Sequence, residues 1–427
     1  MEKIFSLFSD TLGKLSILLP NIIFAFMIDV KVGLGTLHTA LPFILLYSFQ
    51  KMGIFTLNSF GKITNYTKVL RLDLFLALGG VVLAISGTLF KQQILLDLSG
   101  ILVGTGLSCL PTLIKKGLLL KSSKLSLVFS ILIVFLVGVN IKYFSNLFNL
   151  YLLALLLLMT LIASFYLPTS KTQMLAQLKL DLRSFVPAGI ILCLYVMIRT
   201  YRQTALIADF EWMLIFSGII FLFFLYQDIF RVYEQTYQFW LGALKNFLII
   251  YSLFWFFIRG QVALIIWSFI ILMLSNFLGE LFYHKSTHYS NMTLQVGAFL
   301  GTVCGLLIML SSRIYLVGYF ITAFSMLIAG KANITDGLLP DKSSQIKTLG
   351  SLLQQVCLGL TIELVSLWQL HSPTALLYSN VYHQAVLKDT FPAFMVRLIL
   401  ISLFIISGNL IFSWQLYRLY SAQHKNS

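Results

Sequence analysis

The sequence predicts an all-α polytopic membrane protein of about fourteen transmembrane helices, two six-helix bundles with a helix pair inserted between them. Three observations predict it. Hydrophobic residues make up 59% of the 427-residue chain and charged residues 11%, with a mean hydropathy of +0.91. A soluble domain carries roughly 25% charged residues because its surface faces water; here lipid must take that place. The second observation is a series of apolar runs of span length. The third is a regular alternation of lysine- and arginine-rich loops with loops poor in them.

A spanning helix needs about 20 mainly apolar residues. By that ruler, spans fall near 15–36, 39–59, 70–90, 94–114, 125–143 and 146–167, then a polar stretch from Ser170 to Arg183. Eight more follow near 185–204, 210–230, 238–258, 261–283, 291–311, 313–331, 349–370 and 394–417. The first run is long enough to remain as a span rather than be cleaved as a signal.

With the N-terminus inside, the basic loops Lys62/Lys68/Arg71, Lys115/Lys116/Lys121/Lys124, Lys171/Lys179/Arg183 and Lys331/Lys342/Lys347 are cytoplasmic, as the positive-inside rule expects. An even span count returns Arg418 and Lys425 to the same side. The net charge of +15 therefore reads as topology and not as a nucleic-acid surface. A cell-membrane protein with both termini cytoplasmic follows, and the Leu/Phe/Ile/Lys/Ser-rich composition points to an AT-rich bacterial genome.

An internal repeat supports the bundle count. Asn58-Ser-Phe-Gly61-Lys-Ile-Thr-Asn-Tyr-Thr-Lys68 follows the second span, and Ser275-Asn-Phe-Leu-Gly279-Glu-Leu-Phe-Tyr-His-Lys285 follows the tenth. One hydrophobic segment further on, Leu102-Val-Gly104 answers Leu316-Val-Gly318. A duplicated six-span unit explains the shared spacing, and transporters are often built this way. The expected organisation is 1–168 for the first bundle, 169–237 for the linker and inserted pair, and 238–427 for the second bundle.

Cys109, Cys193, Cys304 and Cys357 each stand alone in an apolar run, so neither a disulfide framework nor a zinc site is expected. His284 and His288 have the spacing of two ligands on one helical face, but no third ligand supports a metal. No Walker motif, glycine-rich nucleotide fingerprint or nucleophile elbow is present in the sequence. These absences argue against an enzyme, a cofactor and ATP-driven transport within the chain.

An ionisable group at membrane depth costs a few kcal/mol, about 2.5–3.5 for Arg, Lys or Asp at a helix centre, and marks a functional site by default. Glu363, inside span thirteen, is the first candidate for reversible protonation; a carboxyl hydrogen-bonded to a neighbouring helix is the bland alternative. Asp29 is the second, facing a cavity or lying at the outer membrane surface. Lys51 in span two either pairs with one of these acids or snorkels to the interface. With 37 Phe and 19 Tyr, a subset of rings is available for an apolar or amphiphilic cargo. An anionic or sugar cargo would call for more buried Arg, Asn or Gln than the spans display.

The same segments resemble the major facilitator superfamily, in particular its fourteen-span proton-coupled exporters. Asp29 ahead of Thr39-Ala-Leu-Pro42 is similar to the acidic-then-Ala-Leu-Pro signature of that branch. Gly61-Lys-Ile-Thr-Asn65-Tyr-Thr-Lys68 looks like the loop after span two, and Gly104-Thr-Gly106-Leu-Ser108-Cys-Leu-Pro111 like the Gly-x-Gly-small motif of span four. Asn65 stands where the family usually has an acid and Gly100 where it has an arginine, and 125–143 lacks the Gly-Pro-rich antiporter motif, so the resemblance implies a divergent member. It implies alternating access by two rocking bundles around a midplane site, with a small molecule and protons as partners in the lipid bilayer. Gly61, Asn65, Lys68, Gly104, Gly106, Pro111, Gly279 and Glu280 would be its conformational motifs. Two other readings stand beside it: a lipid-linked glycan flippase of cell-envelope assembly, and a non-transporting subunit derived from the same fold.

Overall fold

The computed structural model describes residues 2–25, 37–59, 66–118, 124–143, 146–166, 232–252, 256, 262–286, 288–332, 340–368 and 391–425. Among them the chain is helical, with no strand. That is what a lipid-embedded chain must do, because a spanning segment has to satisfy its backbone polar groups internally. The chain divides into two compact units, Met1–Leu206 and Ile207–Ser427. The expected spans at 185–204 and 210–230, and most of the segment 169–237, lie outside the described residues.

The first unit contains α1 (Glu2–Leu15), α2 (Leu18–Ala25), α3 (Leu37–Ser59), α4 (Tyr66–Phe90), α5 (Gln93–Leu107), α6 (Leu110–Gly117), α7 (Lys124–Tyr143) and α8 (Asn146–Tyr166). The second contains α9 (Tyr233–Asn246), which runs on through a π-helical turn at Phe247–Tyr251, then α10 (Val262–Lys285), α11 (Asn291–Ile308), α12 (Tyr315–Ala332), α13 (Pro340–Trp368) and α14 (Phe391–Lys425). Helices α4, α8, α10, α11, α12 and α14 are long and apolar enough to cross a bilayer, and α1 with α2 is so as a pair bent by 64°, a broken span or a re-entrant loop.

Three boundaries differ from the sequence expectation. The first helical run begins at Glu2, not near Leu15, because Lys3, Asp10 and Lys14 depress the hydropathy of a helix that nonetheless packs into the unit, with Leu12 and Leu15 fully buried. The fourth span is broken at Ser108–Cys109, and Pro111 falls in the first turn of α6, where a missing N–H costs little. The helix expected from 349 starts at Pro340, so Lys342 and Lys347, expected in a loop, lie on α13.

Small residues set the packing, as is usual where apolar contact with lipid gives helices no reason to associate. A Cβ at Gly100 would overlap the Pro42 carbonyl oxygen, and one at Gly104 the Leu46 carbonyl oxygen, so α5 lies directly on the α3 backbone. Gly106, on another face of α5, approaches the Asp73 carbonyl oxygen of α4 just as closely. In the second unit Gly305 and Gly318 bring α11 and α12 together, a Cβ on either falling within 3.0 Å of the other's carbonyl oxygen. The matched sequences around Gly104 and Gly318 therefore do not do the same work: the first glycine faces the α3 side and the second faces α11.

Candidate functional site

Each unit holds a charged group that is wholly or partly buried, Asp10 with Lys14 in the first and Arg397 in the second. In the first, Asp10 and Lys14 lie one turn apart on α1 and form an ion pair at 3.1 Å. Ser126 of α7 joins both: its hydroxyl donates to Asp10 Oδ2 and accepts from Lys14 Nζ. The Thr11 hydroxyl adds a 3.5 Å bond to the Ser126 carbonyl. The two charges thus partly neutralise one another, and α7 pins them.

Where α1 ends, the chain breaks at Ser16–Ile17 and leaves carbonyl groups without helical partners. Gln50 of α3, 2% exposed, donates to the Ser16 carbonyl at 3.3 Å and accepts from Asn21 of α2 at 2.8 Å. The bend is therefore held by side-chain amides. Next to it Lys51 is half-buried, with its ammonium 5.5 Å from the Tyr47 ring centre. That is a cation–π contact; the acids expected as its alternative partners, Asp29 and the Glu363 side chain, lie outside the described residues.

In the second unit the interior is aromatic. Arg397, near the start of α14, is 1% exposed, with its guanidinium 5.7 Å from the Phe394 ring centre. The Tyr315 hydroxyl of α12 shares a 2.8 Å hydrogen bond with Ser252, the residue that follows the π-helical turn. Phe256 meets Tyr315 edge-on at 5.5 Å. Tyr319, one turn along α12, is fully buried and its hydroxyl has no hydrogen-bond partner among the described residues. Elsewhere on α9 and α13 the buried amides Asn246 and Gln354 are hydrogen-bonded, Asn246 donating. The expectation that buried Arg, Asn and Gln are too few for a polar cargo is corrected by Arg397, Asn246, Gln354, Gln355, Gln295 and Gln50. The sequence signal for Arg397 is a cation inside the span at 394–417, close to its start.

Of the residues singled out from sequence, Asp29, Gly61 and Asn65 lie outside the described residues. Glu363 lies on α13, and its side chain is outside the described set. Lys68 is exposed in the first turn of α4. Gly104 and Gly106 are close approaches of α5. Gly279 sits against Leu327 of α12, and its neighbour Glu280 pairs with Lys331 at 3.3 Å, both partly exposed. These two contacts tie α10 to α12. His284 and His288 are exposed, and no group of three metal-ligating side chains occurs among the described residues.

No protein-family model matches the sequence, and no curated protein matches it. Solved structures do. A POT family transporter in complex with a thioalcohol-conjugated peptide aligns with a TM-score of 0.57 at 13% identity, over 97% of this chain and 95% of that one. The major facilitator superfamily proton:xylose symporter XylE, bound to 6-bromo-6-deoxy-D-glucose, gives 0.55 at 13%, over 96% and 95%. The nucleoside transporter NupG gives 0.53 at 11%, over 96% and 97%. Identities this low speak to the fold alone: the chain has the fold of major facilitator transporters along nearly all of its length.

Proposed function

We propose that this chain is a proton-coupled secondary transporter of an amphiphilic small molecule, working by alternating access. The observation that carries the proposal is the span of the likeness. It covers 96–97% of this chain and 95–97% of the three transporters, so the part of each protein that transports corresponds to almost the whole of this one. Two compact units fit a mechanism in which a central site is exposed alternately to either side.

Coupling requires a group whose protonation changes the relative stability of the two states. Glu363 and Asp29 are the acids the sequence offers. The structure adds Asp10, whose carboxylate is held by Lys14 and by Ser126 of a second helix.

The test is reconstitution in liposomes containing a pH-sensitive dye, with candidate amphiphiles added under an imposed proton gradient. Wild-type protein is expected to show substrate-dependent proton flux, and Asp10→Asn, Asp29→Asn and Glu363→Gln identify the coupling acid by its loss. The sign of the flux separates the exporter reading of the sequence motifs, in which protons and cargo move oppositely, from symport as in the xylose transporter. Folded protein that moves neither protons nor amphiphiles would sink the transporter reading and favour the non-transporting one.

A further inference from the structure

We infer that Gln50 of α3 is a releasable clasp on a proline break: it gives the hydrogen bond that Pro20 cannot, and its release lets α2 part from α1 as a separate unit. The cause of the break is in the sequence. Pro20 is the third residue of α2 and has no backbone N–H. In a continuous helix that N–H would bond the carbonyl four residues back, which is Ser16, and the proline ring also crowds that carbonyl. The helical bonds stop there accordingly. The Ser16 N–H still donates to the Leu12 carbonyl at 2.7 Å, and beyond it the two helices are bent by 64°.

The missing bond comes from another helix. Gln50 Nε2 donates to the Ser16 carbonyl at 3.3 Å, in place of the absent Pro20 N–H. Gln50 Oε1 accepts from Asn21 Nδ2 at 2.8 Å, and the same nitrogen donates to the Ile17 carbonyl at 2.5 Å. The Ser16 hydroxyl closes on the Gly13 carbonyl at 3.3 Å. One side chain of α3, 2% exposed, thus joins the end of α1 to the first turn of α2.

The release has its own observation. Asn21 Oδ1 is a buried acceptor with no hydrogen-bond partner among the described residues. It belongs to the amide that Gln50 already holds, so Gln50 Nε2 has two acceptors to choose between. Bonding the Ser16 carbonyl closes the clasp. Bonding Asn21 Oδ1 instead completes an amide pair between α2 and α3 and frees α1. Either choice leaves one buried acceptor unmet, a cost of the same kind in both, so neither state is held by a wide margin. The packing permits the parting, since α1 rests on α6, α7 and α8 while α2 rests on α3 and α8.

Amide hydrogen exchange on the purified full chain in detergent reads local opening. It needs no cargo, so its outcome is independent of the transporter reading. In wild type, Ile22–Ala25 of α2 are expected to exchange faster than Thr11–Leu15 of α1, at a rate that low denaturant leaves unchanged. Gln50→Met keeps the side-chain length and removes the amide. Exchange in α2 should then rise about tenfold, as an unmet buried carbonyl implies, with α4 and α12 unaffected. Pro20→Ala returns an N–H that meets the Ser16 carbonyl from the backbone. Exchange in α2 should fall below wild type, and adding Gln50→Met should change it by under about twofold.

Gln50→Met that speeds α2 equally in the wild-type and Pro20→Ala backgrounds overturns the clasp, because ordinary packing then accounts for the residue. A single exchange rate for α1 and α2, with one dependence on denaturant, overturns their separation and makes the bend a rigid kink. Should Gln50→Met not fold, recovery of folding on adding Pro20→Ala supports the clasp, and no recovery overturns it.

Discussion

The two units solve the same packing problem with different materials. In the first, the middle helix α5 reaches its neighbours through Gly100, Gly104 and Gly106, and several interior side chains join in small polar sets, Asp10–Lys14–Ser126, Ser16–Gln50–Asn21, and Asn140 to Asn149 at 3.3 Å, while Ser9 Oγ, Asn21 Oδ1 and Ser48 Oγ have no partner among the described residues. In the second, α9 and its π-helical turn carry a row of rings, Tyr233, Tyr237, Trp240, Phe247 and Tyr251, stacked on one another or on α14. Polar tips of that interior, Tyr237 Oη, Trp240 Nε1 and Tyr319 Oη, have no hydrogen-bond partner among the described residues. The difference teaches where to look for each part of the mechanism. An ion pair ties α1 to α7 through Ser126 in the first unit, and rings with open polar tips in the second suit contact with a ligand.

The largest effects that test this comparison come from glycines. A Cβ at Gly350 of α13 would overlap the Phe239 carbonyl oxygen of α9, so Gly350→Ala must push two backbones apart. Overpacking typically costs about 1–3 kcal/mol, and a marked drop in the unfolding midpoint is expected in detergent. Gly104→Ala, against the Leu46 carbonyl oxygen, is its counterpart in the first unit and should fall by a similar amount. An added methyl at Gly359 would have nothing within 4 Å, and Gly359→Ala should gain about 0.5–1 kcal/mol from the helix preference of alanine. If Gly104→Ala keeps its midpoint yet loses transport, that glycine belongs to a moving contact and the packing account of the first unit is wrong.

Much of the fold is legible in the sequence, because hydropathy reports directly on lipid exposure. Runs such as 70–90 and 146–167 reappear almost unchanged as α4 (Tyr66–Phe90) and α8 (Asn146–Tyr166). What hydropathy misses is a helix whose charges are internally paired. Asp10 and Lys14 score as polar although each neutralises the other, which hides α1 and the acid with it. Arg397 is hidden for the opposite reason: at the edge of an apolar run a cation reads as an interfacial anchor, and only its burial shows otherwise. The glycine motifs are visible, but not which neighbour each faces, since one residue of helical rotation turns a glycine by about 100°, and Gly104 and Gly318 consequently meet different partners.

The smallest prediction concerns the turns that close the two glycine-packed pairs. The turn between α4 and α5 is tight: Lys91 has φ of +54°, and the Gln92 N–H donates to the Gly87 carbonyl at 3.0 Å, the pattern in which glycine is the usual residue. The turn between α11 and α12 is longer, and no non-glycine residue in it has a positive φ. A side chain in the left-handed region costs roughly 1–2 kcal/mol that glycine avoids. Against that, the Lys91 ammonium at the carboxyl end of α4 interacts favourably with the helix dipole, by about 0.3–1 kcal/mol. Lys91→Gly should therefore raise stability slightly, by under about 1 kcal/mol, while Arg313→Gly in the longer turn should give no gain. Unfolding midpoints at low and high salt separate the two contributions. A gain that grows at high salt, where the dipole interaction is screened, identifies backbone strain as a property of the first unit's turn alone. A loss at every salt concentration would mean that the side chain of Lys91 contributes more than its backbone costs.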